Sequence, residues 1–574
     1  MQNGRSNKNL SGKENMTRGF EGPRRPRQAV AALMALVAGS AMSQAPAPAA
    51  PAPGLPANPP MAAPAPQPVF AIRGFQVEGE NPLGEGETAR VLAPYLRANA
   101  TIETLQQATA ALEGALRARG YGLHKVALPP QEVGDTVKLQ VVKFAVGKVT
   151  ISRGDVPPGT PQPPAIYDDA NVRRTIPELR EGTSPNFRTM AVQTAIANEN
   201  PNKQVQVGLR ESEEPDKIDA TITVREARPW TLGMSLSNAG SESSGRDRFT
   251  VTAGHTNLFN RDHQFVGAYT TSFEQPDDVR QFGASYKVPL YTLGSVVGVN
   301  YTRSDVVGNF GTFTSTGAGH TFGVNYTLYL PPEGGRRSYV TAALDDKVFD
   351  ASRINDIIVP GALDRRSRPI TLGYTARTES DAAVWGYNVD LAFNTGSGRN
   401  NDLASYRSED PRIDTEHWKA VRGGLSYSAQ IAADWLWTAR ALYQYSPDVL
   451  ISGEQFGLGG LGSVRGTDIE RPISGDKGVS ATVEVSTPEL LPGLRLLGFV
   501  DAGWIGNNSP NGTSKPESDR LASVGLGLRY FVGNFGVTAD YGRIVLGSRV
   551  PLTINSGAPK RGDDRFYLTL SVRF

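Results

Sequence analysis

Cysteine is absent from this chain of 574 residues, which excludes disulfides and thiolate metal sites and leaves an oxidising compartment open. Histidine is scarce. His124, His255, His263, His320 and His417 are scattered, and none stands at a metal-ligand spacing such as H-E-x-x-H. Excess charge is missing too: 59 Lys and Arg against 57 Asp and Glu leave a formal net charge of +2, with no global attraction to nucleic acid. Nor is there a run of about 20 apolar residues, so no transmembrane helix is expected.

What is present begins with a short apolar run at residues 29–41. Arg24, Arg25 and Arg27 precede it, residues 32–38 form its apolar middle, and the small residues Gly39, Ser40, Ala41 and Ser43 follow that middle. Basic, then apolar, then small is the order of a signal peptide, placed at residues 1–43, with Met16 as an alternative start. Residues 44–67 are a Pro/Ala spacer, because proline removes backbone donors and fixes an extended chain.

Residues 68–145 read as strand, helix, helix, strand, strand. In the second helix Leu105, Ala108, Leu112 and Ala115 share a face, and Gly120 supplies the stop. Residues 146–227 repeat the order. The layout resembles the POTRA domain, a small periplasmic α+β module.

From residue 228 the helical pattern ends. Sixteen stretches of roughly ten residues alternate apolar with polar or small side chains. Connections after even-numbered stretches are short ("LFNRD", "PPEGG", "VGN"), whereas those after odd-numbered ones are mostly longer and polar, as at 348–367, 395–415, 446–477 and 505–520. A soluble sandwich has no reason to alternate in this way. A transmembrane β-barrel of 16 antiparallel strands does, with short periplasmic turns and long external loops. In the last stretch Phe566, Leu568, Leu570, Val572 and Phe574 share one face, while Tyr567, Thr569, Ser571 and Arg573 share the other. A terminal Phe574 on such a strand resembles the outer-membrane assembly signal of bacterial barrel proteins.

Residues 446–477 form the sixth external loop. Within it, "GLGGLGSVRG" matches G-x-G-x-x-G at Gly457, Gly459 and Gly462. A phosphate-binding loop must follow a buried strand and open a helix. This one lies between two barrel strands, so Gly457, Gly459, Gly460 and Gly462 read as supplying flexibility and close approach.

The same loop carries Val464, Arg465 and Gly466, and "FVDAG" follows on the thirteenth stretch with Phe499, Asp501 and Gly503. Together with two POTRA-like units and sixteen strands, these residues resemble the TpsB transporters of two-partner secretion, the haemolysin and filamentous-haemagglutinin exporters related to BAM-type insertases. The family motifs are V-R-G-[YF] and F-x-D-x-G; Thr467 stands here where the aromatic would be. The resemblance implies that the loop folds into the barrel and that Arg465 pairs with Asp501. A guanidinium inside a polar wall calls for a carboxylate. Parity then puts Phe499, Asp501 and Gly503 inside, and Gly498, Val500, Ala502 and Trp504 toward lipid. "HTNLFNRDH" at 255–263 resembles the family's N-L-F-G-x-G-D turn without its glycines, and reads as a turn rather than a site.

The resemblance implies export of an unfolded TpsA-type exoprotein from periplasm to surface without nucleotide hydrolysis. It also implies an outer-membrane lipid environment, and the BAM machinery and periplasmic chaperones for the transporter's own assembly. No cofactor, metal or nucleic-acid partner is expected. A barrel insertase is the alternative. A diffusion porin leaves residues 68–227 without a role, and no catalytic constellation has supporting context. Some relatives plug the lumen with an N-terminal helix, which the Pro/Ala stretch is poorly suited to form.

Overall fold

The computed structural model describes residues 69–574 apart from 133, 155–163, 352, 355–356, 432–433 and 513. The expected signal peptide and Pro/Ala spacer lie outside the described residues.

The first α/β unit runs Gly74–Gly79 (β1), Glu85–Leu92 (α1), Ile102–Ala118 (α2), His124–Ala127 (β2) and Thr136–Lys143 (β3). Thr101 and Thr104 form a reciprocal capping box at the start of α2, and Gly120, at φ +95°, ends it. Between those signals Leu105, Ala108, Leu112 and Leu116 bury one helical face against Val137, Leu139 and Val141 of β3. The second unit repeats the plan: Ala145–Arg153 (β4), Asp169–Thr175 (α3), Phe187–Ala197 (α4), Lys203–Glu211 (β5) and Lys217–Glu226 (β6). In both sheets the last strand is central, parallel to the first and antiparallel to the second, so β2 and β5 are edge strands.

After these units, sixteen strands close into an antiparallel barrel, from Trp230–Ser237 to Asp564–Arg573, and short two-stranded hairpins lie in some of its loops. The eighth is interrupted, its pieces Arg365–Ser367 and Pro369–Glu379 both pairing with the seventh, Arg336–Phe349. The first and sixteenth strands meet over a short ladder of five residue pairs, Ser237–Thr569 to Gly233–Arg573, extended by backbone bonds between Leu232 and Phe574. Asn238 lengthens this seam with its side chain, which binds the Leu568 amide and the Phe566 carbonyl.

Outward-facing Phe282, Phe322, Leu344, Leu372, Leu425, Val500, Leu526 and Phe566 are all exposed, as part of a belt of apolar side chains around the barrel. A surface of that extent in contact with water would drive association, whereas lipid solvates it. Inward-facing positions are mostly polar, charged or glycine, with Phe499, Ile505, Leu521 and Ile544 as buried apolar exceptions on one part of the wall. No helix among the described residues is long and apolar enough to cross a membrane.

The long loops carry more structure than a polar reading anticipates. Asp402 caps a short helix, Leu403–Arg407, in the loop after the ninth strand. Tyr406, Ile413 and Trp418 of that loop region pack with Val449, Leu450 and Ile451 at the entry to the sixth loop. These apolar side chains are too sparse to show a period, so the sequence gives no element there.

Candidate functional site

The sixth loop leaves the eleventh strand, Leu436–Tyr445, and returns to the twelfth, Lys477–Ser486. Its limbs pair with each other as Phe456–Leu458 against Ile473–Gly475. Beyond that hairpin the chain folds tightly on itself. The Gly460 amide donates to Thr467 Oγ1 at 2.7 Å, the Leu461 amide to Glu470 Oε1 at 2.8 Å, and the Gly459 amide to Ser463 Oγ at 2.9 Å. These glycine-rich amides are thus occupied by the loop's own side chains, one of them a carboxylate, rather than gathered around a space for an anion. Thr467, in the place of the family's aromatic, is buried and ties Gly460 to Ile469.

The glycines differ in what they contribute. Gly459, Gly460 and Gly466 sit at φ +102°, +93° and +107°, a backbone region open mainly to glycine. Gly457 has ordinary φ, but a Cβ there would collide with the Arg471 side chain. Gly462 has ordinary φ and room for a methyl group.

The tip lies against the inner wall. Val464 and Leu458 are fully buried against Ile505, Leu521 and Ile544 of the thirteenth, fourteenth and fifteenth strands (Leu494–Gly506, Ser518–Val532 and Phe535–Leu546). Arg465 engages Asp501 bidentately, Nε to Oδ2 and Nη2 to Oδ1, each at 2.8 Å, and its own amide reaches Oδ2 at 3.1 Å. Nη1 reaches Glu484 on the twelfth strand at 2.7 Å and Asp540 on the fifteenth at 3.5 Å. The side chains of Arg465 and Asp501 are 5% and 0% exposed, so each charge depends on the other for solvation. Ser523 completes the shell by donating to Asp501 at 3.3 Å.

Register explains the fit. Glu484, Phe499, Gly525 and Gly542 occupy one row across four adjacent strands. Phe499 lies across Gly525, where a Cβ would strike its ring, and the Arg465 guanidinium stacks on Phe499 at 3.4 Å from the ring centre. The loop backbone passes over Gly542: a Cβ there would be 2.9 Å from the Arg465 carbonyl carbon. Gly503 makes room for Leu458, which a Cβ would meet at 2.5 Å. On the sixteenth strand the Tyr567 hydroxyl accepts from the Gly466 amide and donates to the Thr467 carbonyl.

Phe499, Asp501 and Gly503 therefore face the lumen with the loop tip, while Val500 and Trp504 face outward, 54% and 40% exposed. Phe574 lies apart, at the seam, pairing its backbone with Leu232 and pointing outward. Four neighbours of the tip are given no role by the motifs: Glu484, Gly525, Gly542 and Tyr567. Their signal is cross-strand register, which appears only once strand pairing is known.

A second anchor holds the descending limb on another part of the wall. Glu454, 1% exposed, meets Lys347 of the seventh strand at 3.1 Å and Arg422 of the tenth, Lys419–Gln430, at 2.9 Å. Burial pushes the Glu454 carboxyl up, but Lys347 and Arg422 outweigh it and hold it at about 2. A lumen cavity of about 870 Å³ remains beside the tip, lined in part by Arg377, Arg440, Arg465, Glu484, Arg529 and Asp540.

The family model described as haemolysin secretion/activation protein ShlB/FhaC/HecB matches residues 216–530, and that of the ShlB-type POTRA domain matches residues 70–143. The outer membrane transporter CdiB of Escherichia coli is 24% identical over 460 residues, 77% of this chain and 74% of that protein. CdiB of Dickeya dadantii is 21% identical over 458 residues, 77% of each. The solved structure of CdiB from Escherichia coli superposes with a TM-score of 0.69 at 20% identity, covering 90% of this chain and 93% of the other. CdiB from Acinetobacter baumannii gives 0.66 at 17% identity, over 88% and 90%. With more than half its length matched by the family model, the chain belongs to the haemolysin secretion/activation family of transporters.

Proposed function

We propose that this chain is the pore of a two-partner secretion pathway, and that its sixth loop is the gate. The coarser statement follows from family membership: it is an outer-membrane transporter of a secreted exoprotein, with its POTRA region in the periplasm. The finer reading is that the two α/β units capture an unfolded client, by strand addition to the exposed edges at β2 and β5, and hand it to the barrel. The barrel then passes it outward without nucleotide hydrolysis, folding on the far side giving the motion its direction.

The observation that carries this reading is the buried bidentate pair of Arg465 with Asp501. It pins a loop inside the lumen by an interaction whose loss is costly: removing one partner leaves the other charge buried and unpaired, at about 3–5 kcal/mol. Measuring secretion and single-channel conductance of Arg465→Ala tests the gate; wild-type values for both would overturn it. Deleting the gene separates export from barrel insertion: loss of one secreted protein supports export, and broad loss of outer-membrane barrels supports the insertase.

A further inference from the structure

The turn between the second and third barrel strands, Arg248–Leu258 and His263–Thr271, reads in the sequence as a plain turn. In the structure it is a socket for the second α/β unit. Asn260 and Asp262, where the family motif has glycine, adopt φ +54° and +59°, which Asn and Asp tolerate better than other side chains. Asp262 is 2% exposed and receives Lys203 Nζ at 2.5 Å.

Lys203 is enclosed completely, its side chain 0% exposed. Its ammonium also donates to Asn171 Oδ1 at 2.9 Å and sits 5.1 Å from the centre of the Tyr167 ring. Asn171 in turn donates to Asn257 Oδ1 at 3.2 Å and to the Asn260 carbonyl at 3.0 Å. Tyr291, in the turn after the fourth strand, donates to Asp262 Oδ2 at 2.8 Å. Asn200 and Asn202 grip Thr256 beside this knot.

A buried ammonium is a poor source of stability. Desolvation offsets most of its attraction to a carboxylate, and a well-packed apolar side chain would hold two surfaces together as well or better. What the pair supplies is geometry. Its donors and acceptors, divided between unit and barrel, are matched in one orientation, and a rotated unit would leave charges buried and unpaired. Lys203 is also the first residue of β5, an edge strand of the second sheet, so the anchor and the start of that edge coincide; Asn198 already occupies the Val205 amide and carbonyl, so a client strand would add beyond Val205.

We infer that Lys203 is a positioning residue: through Asp262 it fixes the second unit, and with it the edge of β5, at the periplasmic mouth, so that a client strand added there is delivered to the lumen. The delivery half rests on the export reading above; the fixing half does not.

The absence of cysteine makes the test direct. Spin labels at Glu213→Cys, near the far end of the sheet, and Asp381→Cys, in the turn after the eighth strand, report the distance between unit and rim in the purified full chain. The expected result is one narrow distance distribution for the parent and loss of that narrow peak in Lys203→Met and in Asp262→Asn, the latter a near-isosteric change. The exchanged pair Lys203→Asp with Asp262→Lys restores part of the peak, and secretion follows it in each variant. An unchanged narrow peak in both single variants overturns the fixing role. A broadened peak with full secretion overturns the delivery role. Wild-type behaviour of Arg465→Ala would remove the gate without touching either distance result.

Discussion

Arg465 stacks its guanidinium face-on over the ring of Phe499, while the same guanidinium is held edge-on by Asp501, two residues along the same strand. Face and edge are thus both taken, and only a planar cation satisfies both at once. Arg465→Lys is expected to behave nearly as badly as Arg465→Ala, despite keeping the charge. Arg465→Ala, which leaves Asp501 buried without a counter-charge, should weaken the loop's hold by about 3–5 kcal/mol. Single-channel recording in planar bilayers checks this: larger or noisier conductance is expected for both, and a lysine variant indistinguishable from the parent would show that charge alone suffices.

Gly542 and Gly525 are expected to be as sensitive as the motif residues. A Cβ at 542 would press on the Arg465 backbone, and one at 525 on the Phe499 ring. Gly542→Val should leave a folded barrel with a displaced loop, read as faster protease cleavage within residues 456–475 on intact cells. Unchanged cleavage would mean the loop accommodates the added bulk.

The Glu454 anchor should survive mild acid. Its carboxyl is held at about 2 against an ordinary value of 4.5, so the stabilisation is full above 4.5 and is lost progressively as pH falls from there through the lower value. Conductance is expected to show no Glu454-dependent change between about pH 7 and 5. Glu454→Gln removes the anchor at every pH, at about 1–3 kcal/mol, because Lys347 and Arg422 retain partial access to water. A Glu454-dependent opening already at the upper end of that range would contradict the assignment.

His124 opposes the first unit in acid. Burial depresses its pKa first, Lys143 adds to the depression, and Glu80 partly offsets both. The unfolded chain therefore takes up the proton before the folded one, and stability falls as pH drops from about 6.5 toward the folded value. Hydrogen exchange at the Val126 amide of the full chain should accelerate more at low pH than the intrinsic chemistry predicts, and His124→Gln should abolish that excess. Equal pH dependence in the two proteins would refute it.

On the outer face, Val500→Arg should cost about 2–4 kcal/mol if the residue lies near the bilayer midplane. Refolding into vesicles monitored by tryptophan fluorescence measures the difference. No penalty would place Val500 at an interface instead.

Strand pattern and loop length are enough to find all sixteen barrel strands, because each strand separates a lipid face from a polar lumen and so displays period two with little noise. The α/β units are equally legible, since the second helix and its capping signals lie in adjacent residues. Arg465 and Asp501 are found through motifs. Glu484, Gly525, Gly542 and Tyr567 are not, because their role depends on which residues lie opposite one another across four strands. Lys203 and Asp262 are invisible for a related reason: each is an ordinary charged residue in its own unit, and only the packing of unit on barrel buries them.

The sixth loop brings its own hairpin and fills its own glycine amides. Its internal order is therefore separable from its attachment. On the proposed gate reading, withdrawing it would break contacts to the wall and leave the loop's backbone pairing intact, so the motion would resemble drawing a bolt rather than unravelling a thread. A gate of that kind would return to its seat after each passage without having to refold.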